Sequence, residues 1–171
     1  MLGATSCLKM LVVQCQRMTV DPYGQWMGTP MSERDIDRLL DRRGYGILSM
    51  AVDDEPYSIP VSFGYDGEVF YFAFIQDDEQ NAKFEFISEG ATVRLLVTDI
   101  KARFDWQSVA VTGSVESVDL ADDEWETLVD ALEDNAWFST DFERADDVQG
   151  VRGWRLEPDD LHGIEVTADQ S

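Results

Sequence analysis

The sequence predicts one small domain that is mainly β, an antiparallel barrel with helices at its periphery. Three observations predict it. Short apolar runs alternate with turn signals such as Asp66-Gly67 through most of the chain. Only a few segments have helical spacing, and these lie between the strands or near the ends. The 171 residues contain no internal repeat and no linker-like stretch that would divide them.

The first predicted element is a helix that begins after Ser32, a residue type whose side chain caps the free N–H groups of a helix. Apolar residues spaced three and four apart then form one face; they are Ile36, Leu39 and Leu40. Gly44 ends the helix, because glycine is favoured just beyond a helix C-terminus. The pattern indicates an amphipathic helix that covers part of the core.

After Gly44 the apolar period becomes that of strands. The runs 47–52, 57–65 and 68–74 follow one another with short acidic turns between them, so we expect a three-strand meander. Pro60 lies inside the second run and cannot donate a ladder hydrogen bond. That strand should therefore have a break or an open edge at Pro60.

In the rest of the chain, apolar runs and turn signals continue to alternate. The predicted elements are, in order, a short helix at 80–89, a strand at 91–97, a long strand at 105–118, an acidic helix at 120–134, and one or two closing strands over 151–166. Gly113 marks a bulge or bend in the long strand. In the acidic helix one face carries Trp125, Leu128 and Leu132, which predicts that this face packs on the barrel.

The charge balance excludes several partners. The chain has 35 Asp and Glu against 13 Lys and Arg, a net charge of −22. Such a surface repels nucleic acid and anionic lipid. The acids are spread along the chain and lysine is scarce, which is typical of adaptation to a salt-rich cytoplasm. We therefore predict a halophilic protein of the haloarchaeal type that loses stability as ionic strength falls.

The first seventeen residues differ from the rest, since residues 1–17 contain two basic residues and no acidic one. We interpret them as a non-structural extension or a mis-assigned start, followed by an arm at 18–31, the domain at 32–166 and a tail at 167–171. Both cysteines fall in the extension, which leaves the domain without a thiol. No apolar run is long enough to span a membrane. We expect a cytoplasmic protein.

Protein side chains alone offer little chemistry. The chain has one histidine, His162, and no Cys-x-x-Cys, nucleophile elbow or glycine-rich phosphate loop. A histidine–cysteine metal site and a serine triad are therefore not expected, and we predict no metal. Any redox or group-transfer chemistry must come from a bound cofactor.

One stretch resembles a known family. Residues 55–72, EPYSIPVSFGYDGEVFYF, are similar to the pyridoxamine 5′-phosphate oxidase-related, FMN-binding split-barrel superfamily, and most of all to its nitroimidazole-resistance-like branch. The segments 106–109 and 156–163 resemble the later flavin-facing strand and the closing motif of that superfamily. The resemblance covers roughly residues 32–166. It implies a Greek-key-like split β-barrel that forms a homodimer with FMN at the interface.

The resemblance also implies where the flavin binds. The candidate cofactor-binding residues are Ile59, Pro60, Val61 and Ser62 on one strand, Phe72 and Ala73 on the next, Lys83 in the following helix, and Trp106 and Ser108 on the long strand. Around Pro60, backbone groups without a ladder partner would line the flavin ring. Lys83 stands where the family has a basic residue for the phosphate. Trp106 would contact the ring and Ser108 would donate a hydrogen bond to it.

The chain also departs from the family. Ala73 stands where many members have a histidine, and no second basic residue follows Lys83 directly. The C-terminus lacks the arginines and histidines with which true pyridoxamine 5′-phosphate oxidases bind substrate. These departures argue against nitroreductase activity, against tight phosphate binding and against pyridoxamine 5′-phosphate oxidase activity itself.

The function that remains is an FMN-dependent oxidoreductase, which would pass electrons from NAD(P)H to a small acceptor. We identify no catalytic side chain. A non-catalytic flavin carrier or sensor is the alternative from another functional class. The same fold could also hold haem or a deazaflavin, and His162 is then the one candidate axial ligand for haem.

Overall fold

The computed structural model describes residues 27–75, 83–119, 121, 123–135 and 150–167. The predicted N-terminal extension and the predicted loop at 139–149 lie outside the described residues. Over the described residues the elements are β1 (Thr29–Pro30), α1 (Glu33–Arg42), β2 (Tyr45–Val52), β3 (Glu55–Ser62), β4 (Gly64–Tyr65), β5 (Phe70–Ile75), α2 (Lys83–Phe86), β6 (Thr92–Ala102), β7 (Asp105–Val118), α3 (Asp123–Glu133) and β8 (Val151–Val166). The prediction of a mainly β domain with few helices is confirmed.

The strands form one antiparallel sheet in the order β3-β2-β6-β7-β8-β5-β4, and β1 pairs with β8. Strands β3 and β4 lie at opposite ends of this order, yet only Phe63 separates them in the chain. The sheet must therefore curl round so that its two ends meet at Phe63. This arrangement is the predicted split β-barrel in a single domain.

Helix α1 agrees with its prediction. Ser32 is its N-cap, and the Ser32 hydroxyl accepts a hydrogen bond of 3.3 Å from the Asp35 N–H. The three predicted apolar side chains are buried. They cover one end of the barrel, where Ile36 and Met31 come so close to Gly163 that a Cβ there would lie 2.8 Å from both side chains.

The last pairing of the predicted meander forms over two residues only, because the second predicted run is divided into β3 and β4. Strand β3 pairs with β2, but β5 pairs with β8 and with the short β4. The chain breaks its ladder at Phe63, whose side chain is buried in the core. Here the buried amide of Asn135 donates to the carbonyls of Gly44 and of Phe63 (2.9 Å for Phe63). The turn signal therefore produced only a short hairpin, in which Gly64 and Tyr65 pair with Tyr71 and Phe70, while the whole of β5 pairs with β8 on its other side.

The tight two-residue turn lies at Asp53-Asp54, and the turn at Asp66-Gly67 is longer than predicted. Asp53 and Asp54 have φ values of 50° and 65° and join β2 to β3 directly, as a type I′ turn requires. At the predicted Asp66-Gly67 turn, β4 and β5 instead flank a four-residue loop. In that loop the Asp66 carboxylate accepts from the backbone N–H groups of Glu68 and Val69 at 2.9 and 2.8 Å.

Two elements differ in length from the prediction. Helix α2 ends at Phe86, before the expected Gly90, and Gly90 lies in a turn with φ of 72°. Strand β6 continues to Ala102 through residues expected to form a loop. The extension is possible because Ile100 and Ala102 remain in register with Trp106 and Asp105, with one irregularity between them.

Strand β7 has its bulge at the predicted place. The register with β8 shifts between Thr112 and Gly113, where a Cβ would lie 1.9 Å from the Glu157 carbonyl oxygen. Helix α3 packs outside the barrel on a second cluster that includes Leu128 and Leu132, as predicted. None of the described helices is long and apolar enough to cross a membrane.

Candidate functional site

The candidate residues on β3 lie on an edge strand. Within the described residues β3 pairs only with β2, so the backbone groups on its other side have no ladder partner. Val61 is buried and Ile59 packs against the core. Pro60 and Ser62 lie on the opposite face of the strand. The open edge expected at Pro60 is present. The interruption between β3 and β4 lies at Phe63, three residues after Pro60.

The two candidates on β5 point in opposite directions. The side chain of Phe72 is fully buried in the core, with its ring centroid 5.4 Å from that of Phe74. Ala73 packs against the cluster beneath α3. The Phe72 side chain therefore has a core position, and its predicted contact with a flavin stays a prediction.

The candidates on β7 lie on the outside of the sheet. Trp106 pairs with Ile100 on β6 and Val166 on β8, while Ser108 pairs with Thr98 and Ile164. Both side chains are partly buried. Gly28 approaches this region so closely that a Cβ there would lie 2.3 Å from Ile164 Cγ2 and 3.4 Å from the Trp106 ring.

These residues belong to an extended surface that we call the outer face. The burial pattern and the strand register place on it Tyr45, Ile47, Leu96, Thr98, Ile100, Trp106, Ser108, Ala110, His162 and Ile164. Five of the eight exposed large apolar side chains of the described residues are among these ten. None of the ten is acidic, although the chain carries a net charge of −22, and the register adds Asp160, paired with Thr112, at the margin of this face. Exposed apolar side chains therefore coincide with a low density of carboxylates on this surface.

His162 lies within the outer face, in register with Ala110. Its side chain is about half exposed, and Nδ1 is 3.2 Å from the Asp160 carboxylate. The sequence singled out His162 by elimination but did not place it. The structure puts it beside apolar side chains.

Lys83 lies at the end of the barrel next to α2, which we call the α2 end. Its Nζ is 5.3 Å from the ring centroid of Phe74 and 5.4 Å from that of Phe84. Arg152, which was not predicted, places its Cζ 5.4 Å from the same Phe84 ring. Two basic groups therefore share one aromatic ring. Strand pairing could not be foreseen here, so the sequence offered no sign that Arg152 lies near Lys83.

The opposite end, next to α1, is called the α1 end and has a different arrangement. Asp99 is only 3% exposed there and accepts hydrogen bonds from Arg42 (2.6 Å) and Arg43. Burial acts to raise the pKa of Asp99, but the hydrogen bond from Arg43 and the charges of Arg43, Arg42 and Lys101 outweigh it and lower the pKa. Asp99 follows Val93, Leu95 and Val97 at a spacing of two, and this inward alternation was the signal that could have revealed it.

Two cavities of about 210 and 230 Å³ lie beside α1. The smaller is next to Arg42, and the larger lies between Tyr65 and Asn135. Burial, followed by the nearby Asp37 carboxylate, raises the pKa of Tyr65 to about 12. None of the nine candidate residues lines either cavity.

One chain does not bring the candidates to one place. Two strands, β2 and β6, lie between β3 and β7, and the register aligns Pro60 with Ala110, so Pro60 and Ser108 are separated by three strand spacings and by two residues along β7. Phe72 is inside the barrel and Lys83 is at the α2 end. A single chain therefore presents separate parts of the predicted site.

The sequence of the chain matches the model of one known protein family. A family model described as pyridoxamine 5′-phosphate oxidase matches residues 32–165. No curated protein sequence matches the chain.

Several solved structures have a similar fold. An FAD-binding protein from Mesorhizobium loti has 18% identity and a TM-score of 0.63, covering 81% of this chain and 98% of that one. The FAD and heme binding protein from Mycobacterium smegmatis has 19% identity and a TM-score of 0.62, covering 82% and 75%. The flavocytochrome Anf3 from Azotobacter vinelandii has 17% identity and a TM-score of 0.58, covering 90% and 75%. At these identities the likeness shows the fold.

Proposed function

The chain belongs to the pyridoxamine 5′-phosphate oxidase family, and we propose that it is a cytoplasmic flavoprotein that binds FMN at the interface of a homodimer. The outer face is the observation that carries this proposal. Two chains with a net charge of −22 repel each other, so they associate most readily through a surface without carboxylates. The outer face comes close to such a surface, since Asp160 lies at its margin beside His162, and its exposed apolar side chains gain from burial.

The described residues fit a flavin. Pro60 to Ser62 offer backbone groups on an edge strand, and Trp106 with Ser108 offers a ring and a hydroxyl on the outer face. Lys83 adds a positive charge that has no carboxylate partner in the described part of the chain. A second chain packed on the outer face would supply the parts that one chain holds too far apart. The structures of similar fold from Mesorhizobium loti and Mycobacterium smegmatis are named as FAD-binding, which supports a flavin.

Bound FMN would supply two-electron transfer from NAD(P)H to a small acceptor, and we propose an oxidoreductase on this basis. The chain's own residues would bind and orient the flavin and exclude water from it. The described residues contain no side chain that we assign as an acid or base for this reaction.

The first experiment measures cofactor and assembly together. Protein purified in molar salt is titrated with FMN, FAD and riboflavin, and its mass is measured by light scattering. We expect a dimer that binds FMN more tightly than riboflavin. A monomer with full FMN affinity would contradict the proposed interface, and a chain that binds none of the three flavins would contradict the function.

A matched pair of variants locates the interface. Ile47 and Val52 are both on β2 and both 42% exposed, but only Ile47 lies on the outer face. Ile47→Asp should give a monomer with weakened FMN binding, because the carboxylate would be buried against a second acidic chain. Val52→Asp should remain a dimer. Equal behaviour of the two variants would reject the outer face as the interface.

Absorbance and reduction separate the alternatives. A Soret band after haem addition, lost in His162→Ala, would identify a haem protein, an outcome that the position of His162 on the outer face makes accessible. Anaerobic bleaching of bound FMN by NADH or NADPH, followed by turnover with an acceptor, would support the oxidoreductase. Bound flavin that no donor reduces would favour the carrier or sensor.

A further inference from the structure

We propose that the smaller cavity beside α1 binds a compact oxyanion, which is either a small carboxylate or a phosphate ion. This cavity of about 210 Å³ lies between α1 and the ends of β6 and β7. None of the nine candidate flavin residues lines it. The proposed site is therefore separate from the flavin site and does not depend on it.

Basic side chains gather around this cavity. Arg38 and Arg42 on α1 and Lys101 on β6 line it, which is three of the 13 lysines and arginines in a chain of net charge −22. The two arginines are four residues apart, so they lie on the same face of α1. The lining also contains two carboxylates, those of Asp35 and Asp105, so one positive charge is in excess. An anion therefore meets an attractive lining on a chain whose net charge repels it.

Arg42 is held in place and still has donors to offer. Its Nη2 donates to Asp99 (2.6 Å) and to the side-chain oxygen of Gln107 (3.3 Å), and Gln107 Nε2 donates to Glu165 (2.8 Å). Both contacts of Arg42 use the same nitrogen. The N–H groups on Nε and Nη1 have no hydrogen-bond partner among the described residues. These groups can therefore donate charge-assisted hydrogen bonds to an oxyanion.

Lys101 supplies a second donor group. In the part of the chain that the structure describes, no carboxylate lies within ion-pair distance of its ammonium group. The charge of Lys101 is nevertheless among those that lower the pKa of Asp99, so the ammonium group acts on the same region as Arg42. An ammonium group with three donors and no fixed partner is suited to bind a small anion.

The two carboxylates of the lining differ in their partners. Asp35 accepts hydrogen bonds from the Ser32 hydroxyl (2.7 Å) and from Arg38 Nη1 (3.0 Å). Asp105 has no such partner among the described residues and would repel a bound anion. Removal of the Asp105 charge should therefore strengthen anion binding. A cavity with a purely structural role would not show this gain.

The volume of the cavity limits the size of the ligand. About 210 Å³ corresponds to roughly seven water molecules at about 30 Å³ each. It is below the range of about 300–1,000 Å³ that is usual for larger organic ligands. A phosphate ion or a short dicarboxylate is small enough for this space, whereas a nucleotide is not. Inorganic phosphate and succinate are therefore the probes.

The test is calorimetric titration of the full-length protein with each probe at constant ionic strength. Lys101→Ala should weaken binding about tenfold, and Asp105→Asn should strengthen it about twofold to threefold. The matched control is Arg103→Ala, which removes the same charge two residues away, in the turn between β6 and β7 and outside the lining. It should keep the affinity of the parent.

The other outcomes overturn the proposal. Equal losses in Lys101→Ala and Arg103→Ala would reveal a general effect of charge, and a parent that binds neither probe would have no such site. Lys83→Ala, at the α2 end, should leave both affinities unchanged. If it abolishes the binding of both probes, the anion binds there and not beside α1. Circular dichroism of each variant checks folding, and Lys101→Gln repeats the test if the alanine variant does not fold.

Discussion

The two ends of the barrel each hold a pair of basic side chains, and they differ in what lies between the charges. At the α1 end Arg42 and Arg43 share the buried carboxylate of Asp99. At the α2 end Lys83 and Arg152 share the ring of Phe84. A buried carboxylate neutralises the cations it binds, whereas an aromatic ring attracts a cation through its face without carrying a net charge. The first arrangement stabilises the fold, and at the second we predict that Lys83 contacts the flavin phosphate.

The largest effect is expected at the α1 end. Asp99→Asn should lower the free energy of unfolding by about 3 kcal/mol, because it leaves two arginines beside a buried site without their counter-charge. Urea unfolding in constant salt measures the loss. Arg38→Ala is the control, since its pair with Asp35 is exposed and should contribute less than about 1 kcal/mol. A comparable loss in both variants would show that burial of Asp99 does not matter.

At the α2 end the effect should be on binding and not on folding. Lys83→Ala should weaken FMN by about 1.5–3 kcal/mol, the usual scale for a charge-assisted hydrogen bond, while the dimer stays intact. Calorimetric titration of the apoprotein with FMN and riboflavin measures it. If the variant binds FMN like the parent, or if the parent prefers riboflavin, Lys83 is a surface lysine and the phosphate lies elsewhere.

Acid should reduce the difference between the parent and Asp99→Asn. The pKa of Asp99 is lowered in the folded chain, so its stabilising effect is complete above its unfolded pKa of about 3.9 and is lost as the pH falls through the lower folded value. The free energies of unfolding of the two proteins should therefore converge as the pH falls from 6 to 3. Parallel curves over this range would contradict the lowered pKa.

Raising the salt concentration should change the effect of Lys83→Ala at the α2 end more than the effect of Asp99→Asn at the α1 end. Raising the ionic strength from 0.1 to 1 M shortens the Debye length from about 10 to about 3 Å. The effect of Lys83→Ala on FMN affinity should shrink, since Lys83 is only partly buried. The stability loss of Asp99→Asn should change by less than about 0.5 kcal/mol, because buried pairs are screened little. A salt response of equal size at both ends would contradict the comparison.

Local patterns predicted most of the elements. The Ser32 cap, the apolar face of α1 and the bulge at Gly113 depend on neighbouring residues, and the structure has all three. The last pairing of the meander was predicted too long, because β5 pairs along its whole length with β8, where Phe70 is in register with Leu156, and with β4 over two residues only. A turn signal at Asp66-Gly67 cannot report a hydrogen bond formed so far along the chain.

The candidate site was predictable only in part. Pro60 predicted an open strand edge, which the structure has, and the scarcity of lysine made Lys83 a candidate. The position of Arg152 beside Lys83 depends on the pairing of β8 with β5, which the sequence does not reveal. The roles of the nine candidates, the halophilic source and the nitroimidazole-resistance-like branch stay predictions.

Strand β8 has a consequence for how the chain folds. It is formed by Val151–Val166, yet it lies inside the sheet, between β7 and β5. Until β8 is available, β7 and β5 each expose an unpaired edge, which can join another chain. The slowest contacts to form are also those that close the barrel, because their sequence separation is large. During synthesis on the ribosome, β5 and β7 therefore keep unpaired edges until β8 has been made. Chaperone protection matters most in that interval.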